Sequence, residues 1–149
     1  IPAFERDDRM PSQYTCEGDN TSPHLTWEEV PDEAESLVLL CEDPDAPNGT
    51  WSHWVVYSLP PSMNEIEKGF PAGERIGGTG AQGRNDFGNV QYEGPCPPVG
   101  ESHRYFFRLY ALDSELSLSA GATRQQVIDR MQGHILETSE YMGTYQRGA

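Results

Sequence analysis

Lysine is nearly absent from this chain: Lys68 stands alone among 149 residues, and arginines supply the other positive charges against 24 acidic residues, for a formal net charge of −14. A field of that sign repels phosphate backbones and anionic bilayers at long range, which argues against nucleic acid or a lipid surface as main partner. Acidic, lysine-poor chemistry suits a high-salt cytoplasm, where surface repulsion is screened, and suits a merely acidic mesophile equally well. Long apolar runs are also missing. None approaches the ~20 residues that a membrane helix needs, and no basic amphipathic helix offers stable membrane association, so a soluble protein is expected. Cysteine is scarce and odd in number. Cys16, Cys41 and Cys96 leave at least one thiol free or paired between copies, as in a homodimer, and argue against a disulfide framework; all three read as small buried residues. No internal repeat, low-complexity linker or signal peptide is visible. The expected location is cytoplasmic, although a chain opening on Ile1 is also compatible with a leader already removed.

What is present describes a turn-rich globular protein, with twelve prolines, fifteen glycines and 36% hydrophobic residues. The length supports one domain over residues 1–149 and is short for two. Ser36 to Glu42, Ser52 to Leu59 and His103 to Leu112 are rich in valine, leucine and aromatics and read as strands. The first and last carry apolar residues at both parities, which predicts central strands covered on two sides. One helix is predicted, capped by Thr123 with Gln126 in its first turn, presenting Val127, Ile128 and Met131, and stopped at Gly133. Ile135 to Tyr145 then reads as a final strand. Long irregular connections cover Pro11 to His24 and the glycine-rich Gly69 to Asn85; loops of that length are usually functional or mobile. The fold class is therefore all-β: an antiparallel β-sandwich with Greek-key-like connections and one short peripheral helix.

Chemistry gathers in two segments, Asp43-Pro44-Asp45-Ala46-Pro47 and Gly100-Glu101-Ser102-His103-Arg104-Tyr105, with Trp51-Ser52-His53-Trp54 between them. Strict alternation puts His53 on the face of Val55 and Tyr57, His103 on the face of Tyr105 and Phe107, and Asp43 on that of Cys41 and Leu39. Antiparallel neighbours could set Asp43 beside His53. A carboxylate there would favour imidazolium, and two protonated rings with the Tyr105 hydroxyl would donate to an anion such as phosphate. Trp51 would add an apolar wall.

These segments, together with Asn85-Asp86-Phe87-Gly88, Tyr92-Glu93-Gly94-Pro95-Cys96-Pro97-Pro98, Tyr14-Thr15-Cys16, Ser22-Pro23 and Gly143-Thr144-Tyr145, resemble the phosphatidylethanolamine-binding protein family, in its short bacterial and archaeal branch of Raf kinase inhibitor-like proteins. The order and spacing of the motifs carry the resemblance over nearly the whole chain. It implies an antiparallel β-sandwich with a small anion-binding cavity lined by Asp43, Trp51, His53, Pro97, His103 and Tyr105, while Asp45 and Arg104 hold the surrounding loops. Members are described as kinase inhibitors, protease inhibitors or signalling scaffolds. The loop before His103 is one residue shorter than in animal members, and no C-terminal helix like theirs is expected after the last strand, so head-group preference and a mammalian-type kinase partner are not implied.

The function expected is therefore non-enzymatic: a ligand-responsive regulatory or inhibitory module that binds a small phosphate-bearing or carboxylate ligand, with no cofactor and no metal. An inhibitor of a kinase or protease acting through the Gly69 to Asn85 loop, independently of the cavity, is the main alternative. A metal site built from two histidines and a carboxylate lacks His-x-His or His-x-x-x-His spacing. A hydrolase using Cys96 as nucleophile suffers from Pro95 and Pro97, which leave few backbone N–H groups for an oxyanion hole. His24 and His134 read as structural or surface groups.

Overall fold

Thr123 begins the one regular helix among the described residues, with a reciprocal cap. Its hydroxyl accepts from the Gln126 amide, and the Gln126 side chain accepts from the Thr123 amide, so two orphan donors of the first turn are satisfied. The computed structural model describes residues 9–47, 49–70, 80–116 and 118–147, and within them this helix, α1, spans Arg124–Met131. Gly133, at φ 82°, occupies the left-handed region just beyond it. Val127 and Met131 are buried beneath the helix.

The remaining elements are strands. In chain order they are β1 (Leu25–Thr26), β2 (Ser36–Asp43), β3 (Trp51–Leu59), β4 (Glu65–Ile66), β5 (Ala81–Gln82), β6 (Ser102–Leu112) and β7 (Ile135–Gln146), preceded by a 3-10 turn at Ser12–Tyr14. Five of them form one antiparallel sheet in the order β5-β3-β2-β6-β7, and β1 pairs with β4 in a separate two-stranded sheet. Among the described residues the fold is thus mostly β, with two antiparallel sheets and a single helix. The four long predicted segments form four strands whose ends lie within a residue of their predicted bounds.

β2 is buried at all eight positions, as expected of a strand covered on both sides. Leu37, Leu39 and Cys41 join Trp54, Val56, Tyr105 and Phe107 in a core on one face. Val38 and Leu40 join Val55, Tyr57, Val127 and Met131 on the other, under the helix. Between helix and sheet lies a buried carboxylate: Glu42, 1% exposed, binds Arg108 on β6 and Arg124 at the start of α1.

The cysteines depart from expectation. Cys16 and Cys96, read as unpaired buried residues, are joined in a disulfide and lie exposed; Cys41 alone is free and buried. An odd count is compatible with one bond plus one free thiol, and nothing in the spacing shows which residues meet. The fold brings them together by laying residues 12–18 against 92–96: the Cys16 amide donates to the Pro95 carbonyl at 3.1 Å, and the Tyr92 hydroxyl to that of Tyr14 at 2.7 Å. Gly94 permits this approach, because a Cβ there would stand 1.8 Å from the Tyr14 carbonyl oxygen. Of the long glycine-rich loop read from Gly69 to Asn85, residues 71–79 lie outside the described residues. No helix among the described residues is long and apolar enough to cross a membrane.

Candidate anion-binding site

Antiparallel pairing decides where the polar residues meet. β2 runs against both β3 and β6, so the end of β2 lies beside the beginnings of its two neighbours. Asp43, the last residue of β2, is therefore carried to the same edge as Trp51 and His53 of β3 and His103 and Tyr105 of β6. These five residues line one cavity of about 210 Å³, closed on its other sides by Ala46, Pro47, Phe87, Cys96, Pro97 and Pro98. All six positions singled out in the sequence share that cavity. The volume lies below the range usual for drug-sized ligands, so only a small molecule fits.

His53 reaches the cavity by a route that strict alternation misses. Cys41 pairs with Trp54, and the next residue of β2, Glu42, pairs with Ser52, so β3 carries an extra residue at His53. This bulge resets the side-chain parity. His53 accordingly leaves the face of Val55 and Tyr57, where it was expected, and its ring stands edge-on to Tyr105 and Phe87 at centroid distances of 5.3 and 5.4 Å. Trp51 meets Phe87 in the same manner at 5.5 Å, and both rings are partly exposed at the rim.

Asp43 bonds to His103 rather than to His53. Its Oδ2 accepts from His103 Nδ1 at 2.7 Å and its Oδ1 from the Asp45 amide at 2.8 Å, and both side chains of the Asp43–His103 pair are buried. His103 Nε2 lies 3.2 Å from Glu101 Oε1. His53 Nδ1 sits 2.6 Å from the Glu93 carbonyl oxygen, which can only accept, so Nδ1 carries the proton.

The two imidazoles are tuned in opposite directions. For His103, burial favours the neutral ring, but hydrogen bonds to Asp43 and Glu101 and their charges outweigh it and raise its pKa. For His53, burial dominates over the Glu93 carbonyl and the charge of Asp43, and the pKa falls. A neutral His53 with its proton on Nδ1 presents Nε2 as an acceptor, so the expectation of two donating imidazoliums reduces to one. Burial and then the charge of Asp43 push the Tyr105 phenol far up, which keeps its hydroxyl protonated.

The surrounding loops are tied to the strands. Arg104 binds Asp45 through Nε at 2.9 Å and Nη2 at 2.8 Å and also through its amide, and the side-chain bond holds the Asp45 carboxyl down at about 2. Asp86 and Ser52 exchange backbone and side-chain bonds, while Asn85 Oδ1 accepts from the amides of Phe87 and Asn89 and closes an Asx turn that presents Phe87. Phe87, Ala46, Pro47, Cys96 and Pro98 were not named as lining from the sequence. All five lie inside the quoted motifs, so the signal was present without a direction for each side chain. His24 pairs with Glu65 and His134 with Asp113, both away from the cavity and both partly exposed. Among the described residues no group of three or more histidine, cysteine, aspartate or glutamate side chains is disposed to hold a metal ion.

Comparison with known proteins points one way. The family model described as phosphatidylethanolamine-binding protein matches residues 1–146. A UPF0098 protein of Methanothermobacter thermautotrophicus is 49% identical over 98% of this chain and 96% of its own length. One from Aquifex aeolicus is 46% identical over 97% and 85%. Among solved structures, the phosphatidylethanolamine-binding protein homologue CT736 of Chlamydia trachomatis superposes with a TM-score of 0.88 at 42% identity, over 98% of this chain and 94% of that one. YbcL of E. coli, described as a member of the mammalian PEBP family, gives 0.86 at 31% identity over 97% and 94%.

Proposed function

We propose that this chain, which belongs to the phosphatidylethanolamine-binding protein family, is a non-catalytic module that binds a small phosphate-bearing or carboxylate anion at the Asp43–His103 cavity and passes its occupancy to a protein partner. The observation that carries this reading is the His103 ring. It is buried, fixed by Asp43 at 2.7 Å, raised in pKa, and set in the wall of a cavity of about 210 Å³. A positive donor held in place before a ligand arrives favours an anion, because charge-assisted bonds in a sheltered cleft outweigh a screened surface field of like sign. Tyr105 supplies a second donor. His53 accepts, which suits a ligand that keeps one proton on its phosphate. Trp51 and Phe87, large apolar side chains exposed at the rim, suit contact with a partner.

Nucleophilic chemistry finds no support in the thiols. The sulfur of Cys96 is bonded to Cys16, and Cys41 is buried, with its thiol pushed well up by desolvation and by Glu42 and Asp43. A cytoplasmic location fits the exposed disulfide only where the cytoplasm tolerates such bonds, as in hyperthermophiles; elsewhere an oxidising compartment fits better.

The test is a calorimetric titration of the folded protein with phosphate and phosphoethanolamine, repeated on His53→Ala and His103→Ala. Saturable binding lost in His103→Ala supports the site. Binding unchanged in that variant, or absent from the wild type, would refute it.

A further inference from the structure

The Cys16–Cys96 disulfide joins the wall of the cavity to the outside of the molecule. Cys96 lines the cavity beside Pro97 and Pro98, while Cys16 opens an exposed run over residues 16–19. Both half-cystines are exposed, and exposed disulfides are the ones that take part readily in thiol–disulfide exchange.

The wall that Cys96 belongs to has few other ties. Residues 95, 97 and 98 are prolines with no N–H to donate, so the segment is fastened through bonds it accepts. The Pro95 carbonyl takes the Cys16 amide at 3.1 Å, the Pro97 carbonyl takes Arg147 Nε at 2.7 Å, and the Pro98 carbonyl takes the Glu101 amide at 3.0 Å. The first of these comes from Cys16 itself, so the amide bond and the disulfide fix the wall to one and the same outer turn. Just upstream, the Glu93 carbonyl accepts from His53 Nδ1 at 2.6 Å. A shift of this segment therefore reaches an imidazole of the cavity.

We propose that Cys16–Cys96 is a thiol–disulfide exchange site that takes a dithiol as co-substrate, and that its reduction loosens the cavity wall at residues 95–98. A thiolate of the dithiol attacks Cys16 Sγ, the S–S bond breaks, and Cys96 leaves as thiolate. The second thiol of the reductant then displaces Cys16 from the mixed disulfide. The dithiol ends as a disulfide, two electrons pass to the protein, and the two protons of the dithiol end on Cys16 and Cys96. Cys16 is the sulfur attacked because its neighbours over residues 17–19 are exposed, whereas Cys96 stands between the buried Pro95 and Pro97. Glu17, Asp19 and the net charge of −14 oppose an anionic thiol, so a neutral dithiol is favoured. Cys41 is buried and takes no part.

The consequence for a ligand rests on the anion-binding reading above. A loosened wall has to be re-ordered when an anion binds, and fixing the backbone of a single residue costs roughly fivefold in affinity or more. By linkage, a bound anion protects the disulfide from reduction by the same factor.

The experiment treats the folded protein with dithiothreitol, with circular dichroism to check that it stays folded. Released thiols are counted, the imidazole NMR signals of His53 and His103 are recorded, and phosphate is titrated calorimetrically against both redox forms and against Cys16→Ser. The expected result is release of two thiols without unfolding, movement of the His53 signals, and phosphate binding weakened by about fivefold or more. Cys16→Ser should resemble the reduced wild type and should not respond to dithiothreitol; the reduced wild type carries the same test if that variant does not fold. A protein that releases no thiol until it is unfolded overturns the proposal. So does release of both thiols with histidine signals and phosphate affinity unchanged. If neither redox form binds phosphate and the His53 signals still move on reduction, the anion reading falls while the exchange site and its effect on the wall stand.

Discussion

His103 Nδ1 and Asp43 Oδ2 are 2.7 Å apart, and the two side chains are 4% and 5% exposed. The pair joins the start of β6 to the end of β2 across the sheet edge where the cavity opens. A buried charge pair of this kind contributes little net stability, because desolvation offsets attraction, yet removing one member leaves the other stranded. What the pair secures is a charged donor at a fixed place.

Replacing Asp43 by Ala should therefore destabilise the protein by about 3 kcal/mol, the lower end for breaking a buried pair. Asp43→Asn, which keeps the volume and one acceptor, should cost less. In both variants the His103 ring should titrate lower than in the wild type, since burial then acts with less opposition. Urea unfolding and histidine NMR titration check the two effects. An unchanged His103 titration would remove Asp43 from the account of the site.

The histidines should shift stability with pH in opposite senses. His103 has a folded pKa above its unfolded value of about 6.5, so its contribution is fully present below that value and is lost as pH rises through the folded pKa. His53 has a lowered pKa, so its contribution is present above about 6.5 and is lost as pH falls toward the folded pKa. Urea midpoints of His103→Gln should approach wild type as the solution is made alkaline, and those of His53→Gln as it is made acidic. Sulfate, which does not titrate in this range, should bind more weakly above the His103 pKa, by up to about tenfold per pH unit for one linked proton.

Most of the architecture could be read locally, because β2, β3 and β6 carry long apolar runs and β7 is rich in Thr, Tyr and Ile, which favour extended backbone. The capping box of α1 was legible for a local reason: Thr123 and Gln126 need only each other. The site was legible as a set of residues, since one antiparallel crossing carries Asp43, His53 and His103 to the same edge. Its internal wiring was not. The bulge at His53 depends on pairing with β2, the choice of His103 as partner of Asp43 depends on β6 lying on the other side of β2, and the Cys16–Cys96 bond depends on two loops 80 residues apart in sequence. Each is a long-range contact that no short window contains.

The disulfide gives a chemical prediction. Unfolded without reductant, the protein should expose one reactive thiol, Cys41, and after reduction three. Native protein should react slowly, because Cys41 is buried and its thiol is pushed up. Replacing Cys16 and Cys96 by Ser should lower stability by about 2–4 kcal/mol, the usual contribution of such a link. Three reactive thiols before reduction would show that the bond does not form.

Glu42 separates stability from binding. It adjoins Asp43 on β2, but neighbouring strand residues point to opposite faces, and Glu42 faces the helix, where Arg108 and Arg124 converge on it. Glu42→Gln should leave two guanidinium groups short of a counter-charge. Both are partly exposed, so the cost should stay near the lower end for a broken buried pair, about 3 kcal/mol or less. Combining it with Arg124→Ala should cost less than the sum of the two singles, because each removes the other's partner. Phosphate affinity, by contrast, should change by less than about twofold, as expected of sites with no shared partner. Urea unfolding and calorimetry on the same preparations separate the two. A Glu42→Gln protein that is as stable as wild type but binds phosphate poorly would mean that the two faces of β2 are coupled through the sheet.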